Sequence, residues 1–281
     1  MANMLAQANV SKMKAILNAA NTQERLATYM DKADSKAFVM SVLNLYTGDG
    51  LLQNCDPNLC LAECMKAAAL GLPVAKQFGR CYIIPYKDRP SFQMGYKGWI
   101  ELAIRSGVYK SITADVVYKG EIPKFNRVTD EFTLEGEPES EEVIGYFARF
   151  ELNSGFRKAI YWPKERVIAH AKRYSQAYRA GKKDSPWFTA FDSMACKTVL
   201  LQILTRYGVM SPVMQTAYLE DTSDRVEAEV AENANKSAVV IPAEEVEAQQ
   251  KEAAQATAEA VETPFPMEGD PQYDPDEEPG F

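Results

Sequence analysis

The hydrophobic residues of this chain change their spacing twice, and no other feature restricts the possible fold as much. Residues 24–47 place Leu26, Met30, Phe38, Val42 and Leu45 at helical intervals, until TGDG at 47–50 interrupts the pattern. Asp56 and Pro57 then offer an N-cap and a first-turn proline for a helix reaching about Leu70, with Gly71 and Pro73 as its stop. From Cys81 the character is that of strands. CYIIPY (81–86) and SFQMGY (91–96) flank a KDRP turn, and KSITADVVYKG (110–120) alternates. GYFARFELN (145–153) and FRKAIYW (156–162) read as a hairpin about Ser154-Gly155, with the acidic stretch EFTLEGEPESEE before them as a loop or edge hairpin. GWIELAIRSG (98–107) is predicted helical.

After Pro163 the helical period returns in KERVIAHAKRYSQAY, followed by a basic loop, RAGKKDS. Ser185-Pro186 caps a long predicted helix from Trp187 to about Tyr207, with Trp187, Phe191, Met194, Thr198 and Leu201 as its core face. Helices, then a small sheet, then helices indicate an α+β fold, a small antiparallel sheet packed on helices. The expected organisation is a flexible N-terminal arm over 1–23, a body over 24–218 and an acidic tail over 219–281.

The net charge of −8 conceals two opposed segments. From Glu220 onward 18 Asp and Glu face only Arg225, Lys236 and Lys251, and the low-complexity sequence there lacks the apolar periodicity to build a core, so disorder is expected. The preceding residues hold 28 basic against 21 acidic side chains. A basic body with an acidic tail suits a nucleic-acid binder. No run of about 18 apolar residues is present to span a membrane, and the N-terminus lacks a secretory apolar region, so a cytoplasmic location is expected. The five cysteines, an odd number, read as reduced thiols. Cys60 and Cys64 share a helix face but match no zinc spacing.

Signatures of catalysis are missing. There is no G-x-x-x-x-G-K-[ST] to cradle nucleotide phosphates and no G-x-G-x-x-G. The acidic residues of 135–142 read as a solvated loop rather than a metal-binding set, and His170, the sole histidine, has no evident nucleophile beside it. No cofactor is implied. What stands out instead is basic and aromatic. Between Arg157 and Lys183 nine Lys and Arg face only Glu165, with Tyr161, Trp162, Tyr174 and Tyr178 interleaved. Cations neutralise phosphates and release counterions, and rings offer surfaces to unpaired bases. A second constellation, QMGYKGWIELAIRSGVYKS (93–111), sets Gly95 and Gly98 around Tyr96-Lys97 at a strand-to-helix junction. Glycines there either admit a phosphate to a helix N-terminus or serve only the turn.

LLQNCDPNLCLAECMKAAALGLPV, CYIIPY, FQMGYKGWIELAIRSG and SPWFTAFDSMACKTVLLQIL follow one another in an order that resembles the RecT family of single-strand DNA annealing proteins, over roughly residues 24–210. The resemblance implies a non-enzymatic phage recombination factor. Such a protein binds single-stranded DNA, pairs it with its complement without ATP and assembles into rings or helical filaments. It also implies a βββα-type annealing-protein core similar to that of lambda Red beta, and work beside a phage exonuclease. By motif position Lys97 and Lys197 carry over as DNA-binding residues, with Arg105 and Arg206 as additions. Tyr96, Lys110, Lys172, Arg173, Lys182 and Lys183 complete the expected DNA-binding set. A passive single-strand binder and a DNA-modifying enzyme are the alternatives. The terminal DPDEEPGF resembles the tips of bacterial single-strand binding proteins, which makes host single-strand binding protein, or partners that read such tips, further candidate partners.

Overall fold

The computed structural model describes residues 2–222 except Lys87, Arg127 and Asp184, with side chains from residue 6 onward. The order is α1 (Ala2–Asn18), α2 (Ala20–Ala27), α3 (Lys32–Gly48), α4 (Pro57–Ala69), β1 (Cys81–Tyr86), β2 (Arg89–Met94), α5 (Tyr96–Arg105) and β3 (Tyr109–Tyr118). It continues with β4 (Ile122–Asn126), β5 (Glu131–Glu135), β6 (Val143–Leu152), β7 (Arg157–Pro163), α6 (Lys164–Tyr174), α7 (Gln176–Arg179), α8 (Pro186–Thr189) and α9 (Phe191–Tyr207). The last helix among the described residues, α10, covers 212–222. The fold is α+β, as the alternation of periods predicts.

Its centre is an antiparallel sheet in the order β3-β6-β7. Ile112 lies opposite Phe150, Ala114 opposite Ala148, and Tyr146 opposite Trp162. Successive side chains alternate across a strand, so Tyr146, Ala148, Phe150 and Leu152 share one face, and all four are buried. Helix α9 covers that face with Ala195, Cys196, Val199, Leu200, Ile203 and Leu204. Three antiparallel strands backed by one helix is the βββα arrangement. Tyr109 meets Phe150 edge-on at 5.5 Å and donates its hydroxyl to the Val209 carbonyl at 3.0 Å, tying the first strand to the chain beyond α9. Removing a buried ring such as Phe150 costs roughly 3–5 kcal/mol.

Two hairpins flank the sheet. β1-β2 packs on α4, and β4-β5, from the connection between β3 and β6, lies over the outer face. There Phe132 stacks on Phe147 at 4.6 Å and meets Tyr161 at 6.3 Å. The acidic connection is thus an edge hairpin in its first half, and its rings explain why the outer face of the sheet carries Phe147 and Tyr161.

Several expectations shift. The stretch 1–23, expected as a flexible arm, contains α1, whose Met13 and Leu17 are buried and which packs on α4. It carries Val10, Met13, Ile16 and Leu17 at helical spacing, and Val10 and Ile16 also pack against the core. The pattern over 24–47 is two helices, since the Asp31 carboxylate accepts from the amides of Ala33 and Asp34 and restarts the chain as α3. The long helix expected from Trp187 is broken at Ala190 (φ −147, ψ 52), which changes its phase. The core face of α9 is therefore 195/196, 199/200 and 203/204, whereas Met194, Thr198 and Leu201 are only half-buried. Asp56 and Pro57 start α4 as expected, with the Asp56 carboxylate accepting from the Asn58 amide at 2.7 Å. The expected tail boundary at 219 falls inside α10; the tail beyond residue 222 lies outside the described residues.

All five cysteines are free and buried. Burial pushes Cys81 and Cys196 up to about 12, and a hydrogen bond with Cys60 together with burial holds Cys64 well above the usual thiol range. At pH 8 a thiol with a pKa near 12 is thiolate on the order of one part in ten thousand. Native protein is therefore expected to leave Cys81 and Cys196 unlabelled by iodoacetamide at pH 8, while protein in denaturant labels fully. Because these pKa values are raised on folding, the neutral thiols contribute stability that is present below about 9 and is lost as pH rises toward 12. Rapid labelling of Cys81 in folded protein would contradict this packing.

Candidate nucleic-acid interface

The basic-aromatic run 157–191 builds two connected ladders of rings and cations. On α6, Arg166, His170 and Tyr174 recur every fourth residue, which places them on one helix face. Trp162, at the end of β7, lies against this face. The Arg166 guanidinium sits 4.2 Å from the Trp162 ring, Trp162 and His170 are 5.6 Å apart, and His170 and Tyr174 are 4.6 Å apart. Arg173 lies over Tyr174 at 5.2 Å. Cation–ring contacts of this kind hold a long arginine in place without neutralising its charge.

The chain then turns. The Ser175 side chain accepts from the Tyr178 amide and starts α7, and the Arg179 guanidinium donates to the Arg173 carbonyl at 3.2 Å, which brings the two arginines together. Gly181, with φ +64, lets the chain reverse, and the Lys182 amide closes the turn on the Ala177 carbonyl. The second ladder follows. Tyr178 stacks on Phe188 at 4.9 Å and meets Trp187 at 6.2 Å, Trp187 meets Phe191 at 5.7 Å, and Phe191 reaches Tyr146 at 6.2 Å. Tyr146 donates to the Asp192 carboxylate at 2.5 Å. Burial and that carboxylate raise the Tyr146 pKa far above the ordinary phenol value. The inner end of this ladder is thus anchored in the core. Its outer member Phe188 and the end of the first ladder, Tyr174, are about half exposed, at 43% and 52%. Exposed rings among Lys172, Arg173, Arg179, Lys182 and Lys183, all exposed, form a surface suited to phosphates and unstacked bases.

The other expected DNA-binding residues fall into two groups. Lys97, on the first turn of α5, and Arg206, on the last turn of α9, are exposed, and among the described residues neither makes an ion pair. The rest are engaged. Arg105 donates to the carbonyls of Leu70 and Gly71 at 3.0 and 3.3 Å, satisfying the end of α4, and lies 3.7 Å from Glu101. Lys110 pairs with Glu151 at 2.7 Å, and this hydrogen bond draws the Glu151 carboxyl below its usual range. Lys197 pairs with Asp221 at 2.8 Å, with the two side chains 13% and 4% exposed. Tyr96 is half-buried, and burial raises its phenol above the usual value.

The glycines of QMGYKG have a backbone role. A Cβ on Gly95 would stand 2.1 Å from the Gly79 carbonyl oxygen, and one on Gly98 would stand 2.2 Å from that of Arg80. The Gly95 amide donates to the Arg80 carbonyl at 2.8 Å, so the chain before β1 crosses directly over the start of α5. The geometry displays a role outside the phosphate and turn readings of these glycines, the close approach of one chain segment to another. Gly98→Ala is expected to destabilise the fold by about 1–3 kcal/mol through forced backbone displacement. The check is the urea midpoint against wild type, and an unchanged midpoint would show that the crossing relaxes freely.

One basic feature was not anticipated. The β4-β5 hairpin and the outer face of β6-β7 enclose an open cavity of about 820 Å³, lined among others by Lys124, Phe125, Phe132, Arg149, Arg157 and Lys158. Lys158 pairs with Asp130 at 2.9 Å and lies 4.3 Å over the Tyr207 ring, so it joins hairpin, sheet and α9. Arg157 and Lys158 stand in the basic run of the sequence. Arg149 sits outward in FARF, but no local pattern says that a hairpin closes over it.

Comparison with known proteins gives a consistent answer. Residues 36–240 match the RecT family. The uncharacterized protein YqaK of Bacillus subtilis (strain 168) is 38% identical over 239 residues, covering 85% of this chain and 82% of that protein. Protein RecT of Escherichia coli (strain K12) is 27% identical over 180 residues, covering 60% of this chain and 65% of its own length.

Proposed function

We propose that this chain, which belongs to the RecT family of recombination single-strand annealing proteins, holds single-stranded DNA by its phosphates and pairs it with a complementary strand without ATP. The observation that carries the DNA-binding site is the surface of α6 to α8, where exposed Lys172, Arg173, Arg179, Lys182 and Lys183 surround the half-exposed rings of Tyr174 and Phe188. Lysine and arginine there would neutralise successive phosphates, and the rings would accept bases in any sequence order. Lys97 and Arg206 are further contacts in this reading. Lys197 enters only if Asp221 releases it.

The mechanism is physical rather than covalent. A bound strand kept extended, with its base edges exposed, presents a template that a second strand can test. Base stacking on pairing supplies on the order of 1.4 kcal/mol per step, which over a few tens of pairs far exceeds what a nucleotide triphosphate would add. The absence of a phosphate-cradling G-x-x-x-x-G-K-[ST] anywhere in the sequence agrees with that account. Assembly of many copies into a ring or filament would align successive templates, and a phage exonuclease would supply the single strands. Host single-strand binding protein is a further partner in this reading.

Annealing of two complementary fluorescent oligonucleotides, without ATP and over a salt series, tests the proposal. About five phosphate contacts predict a slope of log K against log salt near −3.5 for a single strand. Replacing Arg173, Lys182 and Lys183 together by Ala should weaken binding and reduce the magnitude of that slope by roughly 2. Phe188→Ala should weaken binding by about 1–3 kcal/mol with the slope unchanged, since stacking releases no counterions. Tight binding with no acceleration of annealing would leave a passive single-strand binder. Variants that bind and anneal as wild type would move the site elsewhere.

A further inference from the structure

The outer edge of β2 has an unusual set of hydrogen-bond partners. β1 and β2 form a two-stranded sheet, with Met94 opposite Cys81, Phe92 opposite Ile83 and Pro90 opposite Pro85. Residues 90, 92 and 94 present their backbone away from β1. Pro90 has no amide hydrogen. The Phe92 amide donates to the Glu63 carboxylate at 2.8 Å, and the Met94 amide donates to the Asp221 carboxylate at 2.8 Å. Carboxylates, not another strand, finish this edge.

Two lysines hold those carboxylates. Lys66 lies 3.0 Å from Glu63 and 3.1 Å from Glu220. Burial alone would lower the Lys66 pKa, but hydrogen bonds to the two glutamates raise it above the ordinary lysine value. Lys197 reaches both oxygens of Asp221 at 2.8 Å. Glu220 and Asp221 are neighbours on α10, so one helix delivers two negative charges to donors from α4, β2 and α9. Its apolar attachment is small. Met214 and Ala217 are buried and Tyr218 rests on Trp99 at 6.4 Å, whereas Val213 and Leu219 are 44% and 68% exposed.

We propose that the Met94 amide, Lys66 and Lys197 form a phosphate-binding ledge, which α10 fills with its own carboxylates and surrenders when a single strand arrives. A phosphodiester carries the same unit charge as a carboxylate and accepts the same hydrogen bonds, so the exchange leaves no donor unpaired. The exchange also avoids a largely buried lysine without a partner, because the phosphodiester takes the place that Asp221 leaves at Lys197. The helix then sets how much of the binding surface a strand can use. This inference rests on the single-strand reading above.

The test uses the full chain, a fluorescent oligothymidylate and hydrogen–deuterium exchange. Addition of the oligonucleotide to wild type is expected to raise exchange over 212–222. The double variant Glu220→Gln, Asp221→Asn is expected to bind about tenfold tighter, a magnitude usual for intramolecular coupling, and adding Lys197→Ala should remove the gain. Oligonucleotide that binds while 212–222 stays protected would overturn the ledge and leave the strand-binding reading intact, and this readout on wild type does not depend on how well the variants fold. Failure of both wild type and double variant to bind at low salt would overturn the strand-binding reading and the ledge with it.

Discussion

Burial of the inner face of β3-β6-β7 under α9 is the interaction on which the other features depend. Tyr146, Ala148, Phe150 and Leu152 can leave water only if α9 presents a matching apolar stripe, which Ala195, Cys196, Val199, Leu200, Ile203 and Leu204 supply in the helix that restarts after Ala190. The restart is itself tied to the sheet. Phe191 contacts Tyr146, and Tyr146 donates to Asp192 on the first turn of the helix. The ring ladder that leads outward through Trp187, Tyr178 and Phe188 therefore begins in the core. Its exposed end at Phe188 is joined to the sheet through ring contacts, and in the proposed function rings held this way would lose little entropy when a base stacks on them.

Electrostatics divides the basic residues into two populations with different work. Arg105, Lys110 and Lys158 are bound to carbonyls or carboxylates, where they close the end of α4, a cross-strand position and the β4-β5 hairpin. Lys172, Arg173, Lys182 and Lys183 extend into solvent. A cation already held by a carboxylate releases few counterions on meeting a phosphate, so in the proposed function the second population would contribute most to the salt dependence. Lys197 stands between the two, since its partner belongs to α10, a helix with few apolar anchors among the described residues.

Much of the architecture was legible because local chemistry and global fold agree. Asp56-Pro57 starts α4 where capping requires it, and the strand runs expected at 81–86, 91–96, 110–120, 145–153 and 156–162 appear as β1, β2, β3, β6 and β7, although Tyr96 opens α5 instead of ending β2. Where local signals were weak or misleading, tertiary contacts decided. α1 has Val10, Met13, Ile16 and Leu17 at helical spacing, but only its packing on α4 shows that this stripe is buried. Trp187, Phe191, Met194, Thr198 and Leu201 keep helical spacing, yet the bend at Ala190 turns a different face to the core. The family motif QMGYKG was visible, but only a backbone crossing between the segments around Gly79 and Gly95 explains its glycines.

By itself the sequence determined the α+β class, the resemblance to the RecT family, and the concentration of cations and rings between Arg157 and Lys183. Each follows from neighbours along the chain, whose periodicity and composition are local properties. The tertiary structure alone decided which cations remain available. Lys110 and Glu151 lie 41 residues apart, Lys197 and Asp221 24, and Lys66 and Glu220 154. An ion pair is set by distance in space, and a charge count along the chain cannot tell a lysine that faces solvent from one that already holds a carboxylate.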